Sequence, residues 1–296
     1  MRFILRSRTH AISAAVLGML VPPFSFVSGG IIGATALRRG IVDSALILVL
    51  CIAVPALVMT LWSVGYQPVI VFALFTGIPV ILLAQVLRRT ASEAVTLTAA
   101  GAMSALVLAG IHLLAKDPVA WLGGKLEFLI VQPIRDARPD ASPELLEMLG
   151  AVVEALSVPA ATVSGFMMIA MLTLWLARWM QAVLDNPGGF GKEFRELRLD
   201  RRVAYTGVVL ALLAILAGNF AAGLFPAWFV IVINMYTIQG IALVHGVVHK
   251  RQASAGWLAV MYAGLVLFSP IASLGLALAG ISDTWFDYRR RWGAGA

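Results

Sequence analysis

The chain has 296 residues, of which 60% are hydrophobic and only 12% are charged, and its mean hydropathy is +0.92. A soluble domain carries roughly 45–50% apolar and about 25% charged residues. This composition therefore excludes a soluble globular enzyme, a disordered chain and a disulfide scaffold, and it predicts an all-α, polytopic membrane helical bundle. The formal net charge of +7 is typical of a membrane protein with Lys and Arg residues in its cytoplasmic loops.

Apolar runs divide the chain into membrane-spanning segments, each of which needs about 20 residues. Six runs are long enough: 41–62, 68–87, 94–115, 159–180, 203–225 and 226–248. The end stretches 11–37 and 257–282 are interrupted by Pro22-Pro23 and by Ser269-Pro270. Each is either one long kinked span or a hairpin of two short helices, which gives eight or ten membrane helices in a single membrane domain, 1–296.

The distribution of basic residues predicts the orientation. If the six runs alternate, the loops with Arg38-Arg39, Arg88-Arg89, 192–202 and Lys250-Arg251 all lie on one side, which the positive-inside rule assigns to the cytoplasm. The hairpin interpretation also brings both basic termini to that side, and proline ends helices at the required turns. We therefore expect a bacterial inner-membrane protein with both termini in the cytoplasm.

One long segment, 116–158, falls on the opposite side of the membrane. It contains four basic and seven acidic residues, which suits the outer face. Its second half carries a stripe of leucine and valine from Leu145 to Leu156, with Glu144, Glu147 and Glu154 opposite. This pattern predicts an amphipathic helix that lies on the membrane or caps the helical bundle.

A cytoplasmic loop at 184–202 follows the fourth run. Asn-Pro-Gly-Gly at 186–189 predicts a turn, and Phe190, Phe194 and Leu197 predict a short amphipathic helix beyond it. An interfacial helix of this kind holds anionic headgroups or docks a partner. The residues that we expect to bind a partner or lipid here are Arg178, Asn186, Gly188, Gly189, Lys192, Arg195 and Arg198.

The chain ends in a second charged patch, 283–291, with the sequence DTWFDYRRR. Asp287 and Arg291 have the i, i+4 spacing of a helical ion pair. Two acids among so many bases also favour pairing with the basic loop. We therefore add Asp283, Asp287 and Arg289 to the candidate partner- or lipid-binding residues and predict that the two patches touch.

Polar residues inside apolar runs are costly and therefore informative. Asn219 lies deep in the fifth run, and Asn234, Gln239 and His245 share the sixth. Asn234 and His245 are eleven residues apart, about three helical turns, and so share a face. These four residues are the candidate substrate-binding site, and the alternative is that they form hydrogen bonds between helices.

The sequence contains no recognisable catalytic constellation. It lacks a phosphate loop, a Ser-His-Asp order and paired intramembrane aspartates, and its single cysteine, Cys51, lies in an apolar run. His245 and His249 have a metal-ligand spacing, but no acid of the H-E-x-x-H type accompanies them. We therefore expect a protein that is not an enzyme and needs neither a metal nor a cofactor.

The run NPGGFGKEFRELRL and the ending GISDTWFDYRRR resemble the YybS-like family of bacterial membrane proteins, a domain of unknown function. That family is distantly similar to the substrate-binding subunits of energy-coupling-factor vitamin transporters. The resemblance implies a short early helix, which 24–37 fits. It also implies docking of a transmembrane partner through small residues of the first helix, a role that Ala11 and Ala15 match.

Two functional hypotheses follow. The first is a small-solute-binding transporter subunit with a cavity near Asn234, Gln239 and His245. The alternative is a non-transporting membrane scaffold that recruits a protein partner or anionic lipid at its cytoplasmic face. Either one works within the lipid bilayer, with a membrane or cytoplasmic protein as a possible partner and no nucleic acid. An enclosed polar cavity at membrane depth indicates the first, and polarity concentrated at the cytoplasmic face indicates the second.

Overall fold

A computed structural model describes residues 7–21, 24–62, 65–216 and 223–291. These residues are almost entirely helical, and none of them belongs to a strand. The α-helices are α1 Arg8–Leu20, α2 Ser25–Arg39, α3 Ile41–Leu61, α4 Gln67–Phe72, α5 Ile78–Thr90, α6 Glu93–Leu114, α7 Pro118–Leu126, α8 Gln132–Ala137, α9 Pro143–Ser157, α10 Pro159–Asp185, α11 Gly189–Glu196, α12 Arg201–Leu216, α13 Leu224–Lys250, α14 Gly256–Leu267, α15 Ser269–Phe286 and α16 Tyr288–Arg291. The predicted all-α class is confirmed.

Five of the described helices are long and apolar enough to cross a membrane: Ile41–Leu61, Gln67–Thr90, Glu93–Leu114, Pro159–Asp185 and Leu224–Lys250. They correspond to five of the six predicted runs. The remaining run, 203–225, is described as helix only to Leu216, so its length is not tested. The chain is thus a polytopic helical membrane protein, and the total of eight or ten membrane helices stays a prediction.

Prolines shape two of the helices in the same way. The span Gln67–Thr90 contains a π-helical turn, Ala73–Gly77, and Pro79 follows that turn by two residues. A second π turn, Glu127–Val131, precedes Pro133 by the same distance. Proline lacks the amide hydrogen and clashes with the carbonyl four residues earlier. A widened turn ahead of it accommodates the ring without ending the helix.

Contacts divide the chain into two compact units. Unit 1 takes its residues from 1–91 and 106–190, and unit 2 from 92–105 and 191–296. Helix α6 therefore contributes its first part to unit 2 and its remainder to unit 1. Whether the two units behave as the single predicted membrane domain stays a prediction, and each unit is described by itself.

Helix α2 lies at the centre of unit 1, and its residues from Ser28 to Leu37 are all buried. Its glycines permit this position. A side chain at Gly33 would meet Ala177 of α10 at 2.7 Å and Val80 of α5 at 2.9 Å. Because small residues let helix backbones approach closely, α2 packs against two spanning helices at once.

The N-terminal stretch forms a helical hairpin, as one of the two interpretations of the sequence predicts. Ser28 of α2 donates a hydrogen bond to the carbonyl of Ala15 in α1 at 2.7 Å. Arg8, at the start of α1, forms a bidentate ion pair with Asp43, which lies just beyond the end of α2. The start of α1 and the end of α2 therefore lie at the same end of unit 1, where Arg38 also binds Asp185.

The segment after α6 forms the small helices α7, α8 and α9 around a π turn. Asp117 caps α7 by accepting the amides of Val119 and Ala120. In α9, Val153 and Ser157 are buried while Glu147 and Glu154 are exposed. The predicted amphipathic helix is therefore confirmed, and its buried stripe packs against α7.

Unit 2 is organised around α13 and α15. The two helices run parallel, since Thr237 binds the Ser273 carbonyl at 3.1 Å and Lys250 binds that of Arg289. Helix α14 is the return segment between them. It ends at Leu267, and Pro270 lies in the first turn of α15. Residues 257–282 thus form two short helices, and the chain returns to the end of α13 from which it left.

Candidate functional site

A buried glutamine fixes the chain between α11 and α12. Gln239 of α13 is fully buried. Its carbonyl oxygen accepts the amide of Leu199 at 2.8 Å, and its amide group donates to the Gly280 carbonyl at 2.6 Å and to the Thr284 hydroxyl at 3.3 Å. Leu197 is also buried. The chain between α11 and α12 is therefore held against α13 and α15 at a fixed position along these two helices.

Arg198 projects from this segment towards the C-terminal patch. One of its nitrogens donates to the Thr284 carbonyl at 3.0 Å, and another lies 3.0 Å from an Asp287 carboxylate oxygen. The predicted contact between the basic loop and the C-terminal segment is therefore confirmed. Since both side chains of the pair are about one-third exposed, the ion pair itself contributes roughly 1 kcal/mol or less.

The C-terminal patch is shaped by a reversal at the end of α15. Asp287 has a left-handed backbone, with φ of +46°, a conformation that Asp tolerates better than most residues. The turn directs the amide of Tyr288 to one oxygen of Asp283 at 3.0 Å. The other oxygen lies 3.4 Å from the Arg289 guanidinium.

Arg289 is the positive charge at the centre of this arrangement. Its side chain is only 12% exposed and Asp283 is fully buried. It also donates to the Arg195 carbonyl at 2.8 Å. Burial lowers the pKa of Arg289, while the Asp283 charge raises it, and the group stays charged because an arginine pKa begins above 12. Among the described residues, two of its nitrogens, Nε and Nη2, have no hydrogen-bond partner.

These contacts build a pocket of about 490 Å³, which we call the basic pocket. It is lined by Lys192, Arg195, Glu196, Gly246, His249, Lys250 and Arg289. Gly246 is what lets three segments meet here, because a side chain on it would lie 3.1 Å from the Arg195 carbonyl. The pocket is therefore lined by cations from three places: helix α11, the end of α13 and the C-terminal patch.

Helix α11 reaches the pocket through the apolar stripe that the sequence predicts. The Phe194 ring packs edge-on against the His245 ring, with centroids 5.6 Å apart. His245 in turn forms a hydrogen bond of 2.9 Å with the Tyr262 hydroxyl of α14. A second hollow of about 250 Å³ adjoins this cluster and shares Arg195 and His249 with the basic pocket.

A separate groove of about 650 Å³ in unit 2 lies between the first part of α6 and the start of α12; we call it the amphipathic groove. Arg198, Asp200 and Arg202 line one part of it, together with Ser92 and Thr98. The rest of its lining is small and apolar and consists of Ala94, Val95, Ala99, Ala102 and Val203. The groove thus combines a charged end with an apolar floor.

The other candidates for partner or lipid binding belong to unit 1. Arg178 is half-buried and donates to Gln181 at 3.3 Å. Asn186 and Gly188 are exposed, and the φ of +83° at Gly188 confirms the predicted turn. Gly189 begins α11. A binding role for these four residues stays a prediction.

The four candidate substrate-binding residues do not share one set of contacts. Gln239 is used within the protein, and His245 belongs to the aromatic cluster with Phe194 and Tyr262. Asn234 is half-buried, and Asn219 lies outside the described residues. A hollow of about 370 Å³ between α12, α13 and α15 has an almost wholly apolar lining, which includes none of them. Their role in solute binding stays a prediction.

Sequence reasoning missed part of the basic pocket. In the sequence, His249 has only a metal-ligand spacing from His245, Lys250 belongs to a basic loop, and no motif marks Glu196 or Gly246 as part of a binding site. Hydropathy places the end of the last span at residue 248, but α13 continues to Lys250. A basic last turn that follows directly on an apolar helix was the available signal.

The comparisons with known proteins agree with the membrane class. A family described as "Predicted membrane protein (DUF2232)", a domain of unknown function, matches residues 138–284, just under half of the chain. The match covers α9 to nearly the end of α15. It includes six of the seven residues that line the basic pocket but only four of the ten that line the amphipathic groove. No curated protein and no solved structure matches the chain.

Proposed function

We propose that this protein is a non-transporting membrane scaffold that binds an anionic phospholipid in the amphipathic groove at its cytoplasmic face. The observation that supports this most strongly is the arrangement of the groove. Arg202, which is exposed, lines the charged end of the groove together with Arg198 and Asp200, and the apolar part of its lining is alanine and valine from α6 and α12. Clusters of Lys and Arg at a membrane surface attract anionic headgroups by about 1 kcal/mol per residue.

Aromatic side chains near the start of α12 support the same placement. Tyr205 and Trp285 are exposed and pack edge-on, with ring centroids 6.3 Å apart. Tyrosine and tryptophan favour the headgroup level of a bilayer. Tyr205 is one helical turn from Arg201 and Arg202, which places these arginines at the depth of lipid phosphates.

The proposed topology has both termini in the cytoplasm of a bacterial inner membrane. In unit 1, Arg8 and Arg38 lie at the same end, and in unit 2, Arg195, Lys250 and Arg289 cluster at one end. The positive-inside rule assigns such ends to the cytoplasm. Reporter fusions are expected to show cytoplasmic activity at residue 1 and after residue 296, and periplasmic activity at either terminus contradicts the hairpin topology there.

The transporter-subunit hypothesis has weaker support. The resemblance to the YybS-like family and to energy-coupling-factor subunits assigns partner docking to Ala11 and Ala15. Both residues are buried within the chain, where α1 packs against α2 and α3. Gln239, the most deeply buried of the solute-ligand candidates that the structure describes, already has partners for its oxygen and its nitrogen. We therefore favour the scaffold and propose neither transport nor an enzymatic reaction.

Lipid-dependent thermal stability tests the proposal. In neutral detergent, phosphatidylglycerol is expected to raise the unfolding temperature of the protein, whereas phosphatidylcholine is not. A ligand at 100 times its Kd stabilises the folded state by about 2.7 kcal/mol, which is a shift of several degrees. The shift should decrease in high salt because salt screens exposed charges.

A pair of matched variants locates the effect. The double change Arg201→Gln and Arg202→Gln is expected to remove most of the shift. The change Lys116→Gln with Lys125→Gln removes the same charge from the segment 116–158 and should leave the shift intact. An equal loss in both variants, or an equal response to the two lipids, contradicts a lipid site at the groove.

A further inference from the structure

The basic pocket lies apart from the amphipathic groove and carries its own excess of positive charge. Among the residues that the structure describes, the pocket wall has one carboxylate, that of Glu196, and four cations: Lys192, Arg195, Lys250 and Arg289. Behind the wall, Asp283 balances one further charge at 3.4 Å from Arg289. Four full cations against two carboxylates leave two positive charges without a counterion from the pocket residues.

The donors of the pocket are arranged to receive an anion. Lys192 and Lys250 are exposed, and Arg195 and His249 contribute further nitrogen donors. Lys250 uses one of its three ammonium protons on the Arg289 carbonyl at 2.6 Å. Its remaining protons are available for a ligand, and the bond to Arg289 fixes where they lie.

Arg289 adds a charge that is fixed in place and whose hydrogen bonds are incomplete. Nη1 donates to the Arg195 carbonyl, and Nη2 lies 3.4 Å from the Asp283 carboxylate, an ion pair without a hydrogen bond. Nε has no hydrogen-bond partner among the described residues. A buried charge is costly unless it is fully paired. Nε and Nη2 are themselves buried, so an anion in the pocket would offset part of that cost by charge attraction to the guanidinium and not by bonding to these two atoms.

The basic pocket and the amphipathic groove lie at different levels along the direction of α13, and therefore at different depths in the membrane. The pocket lining on α13 begins at Gly246, seven residues beyond Gln239, and ends at Lys250, eleven residues beyond it. Gln239 holds the segment that leads into α12, and at 1.5 Å per residue the pocket lies roughly 10–16 Å further along the helix. The pocket therefore faces the aqueous side of the headgroup region.

We infer that the basic pocket binds a phosphomonoester group. A phosphomonoester carries about −1.5 to −2 charges at neutral pH and three acceptor oxygens, which matches two unbalanced cations and several convergent donors. A phosphodiester carries only one negative charge and leaves one cation unbalanced. The group is either part of a small soluble molecule or the exposed headgroup of a lipid. The inference goes beyond the lipid scaffold, which needs only the amphipathic groove.

Direct titration of the detergent-purified full chain tests the inference. The soluble probes are glycerol 3-phosphate, which is a monoester, and inorganic phosphate, which is the parent ion. The lipid monoester is dioctanoyl phosphatidic acid. Dioctanoyl phosphatidylglycerol is the diester comparator. We expect at least one monoester to bind 10-fold or more tightly than the diester. Tighter binding of the soluble probes identifies a soluble ligand, whereas tighter binding of phosphatidic acid identifies a lipid. Either result supports the inference.

Reciprocal variants separate the two sites. The double change Lys192→Gln and Lys250→Gln is expected to weaken monoester binding at least 10-fold and to preserve stabilisation by phosphatidylglycerol. The double change Arg201→Gln and Arg202→Gln, which removes the same charge, should do the reverse. The four side chains are exposed, so we expect both variants to fold, and size-exclusion elution with helical circular dichroism verifies this.

A gain of binding provides an independent check. Glu196 is exposed and is the acid in the pocket wall, so Glu196→Gln should tighten monoester binding about three-fold or more. The inference is overturned if monoesters are not preferred, or if both double variants lose monoester binding equally. If phosphatidylglycerol still stabilises the protein in that case, the scaffold proposal stands. Monoester binding without any response to phosphatidylglycerol overturns the scaffold proposal alone.

Discussion

Replacing Arg289 by leucine is expected to destabilise the protein by about 3–5 kcal/mol, the usual cost of leaving one partner of a buried ion pair alone. Asp283 has no exposed surface, and its remaining hydrogen bond comes from the Tyr288 amide. Without Arg289 its carboxylate would be buried beside a single donor. The thermal unfolding temperature in detergent, followed by tryptophan fluorescence, should fall by many degrees.

Two further variants assign this loss to the buried charge. In the double change Asp283→Asn with Arg289→Leu, the side chain at 283 is neutral and its carbonyl still accepts the Tyr288 amide, so most of the stability should return. Arg198→Leu removes an arginine from a pair that is about one-third exposed and should cost much less. Equal losses in all three variants would contradict the assigned role of the pair.

Gly280→Ala and Gly240→Ala are each expected to destabilise unit 2 by about 1–3 kcal/mol or more, as overpacking of a tight interface does. A side chain on Gly280 would overlap the carbonyl of Tyr236, and one on Gly240 would overlap that of Leu276. Backbone atoms cannot rotate away as side chains do. Helices α13 and α15 would have to separate, and the bonds of Gln239 across them would lengthen.

Gly275→Ala is the matched control in α15. Among the described residues, no atom outside this stretch of the helix lies within 4 Å of a side chain placed on this glycine, and alanine is the better helix former by up to about 1 kcal/mol. The unfolding temperature of this variant should therefore stay the same or rise. A fall as large as that of Gly280→Ala would mean that the close approach of the two helices is not the cause.

Much of the fold follows from hydropathy and proline positions. Apolar runs located five spanning helices because backbone polar groups in lipid require helix, whatever the details of packing. Pro270 lies next to the place where the C-terminal end stretch divides into two helices, whereas Pro22-Pro23, the predicted turn of the N-terminal stretch, lie outside the described residues. The amphipathic pattern of Phe190, Phe194 and Leu197 predicted α11, since one face of a surface helix must be apolar.

Contacts between distant segments are harder to predict from the sequence. Gln239 was a candidate solute ligand, but its partners are Leu199, Gly280 and Thr284, and helical periodicity cannot show which groups face a residue. Gly240 and Gly280 were missed because they form a close contact between two helices, whereas a small-xxx-small search looks along one helix. The burial of Arg289 depends on the left-handed turn at Asp287, which no pattern in the sequence marks.

The central claim is that a lipid occupies the amphipathic groove. The most direct test is native mass spectrometry of the protein, extracted from its membrane in mild detergent. We predict a retained phospholipid of the anionic class, and we predict its loss in the Arg201→Gln, Arg202→Gln variant but not in the Lys116→Gln, Lys125→Gln variant. Retention of a small uncharged solute, with anionic and zwitterionic lipids bound equally by all three proteins, would contradict the scaffold and favour the transporter subunit.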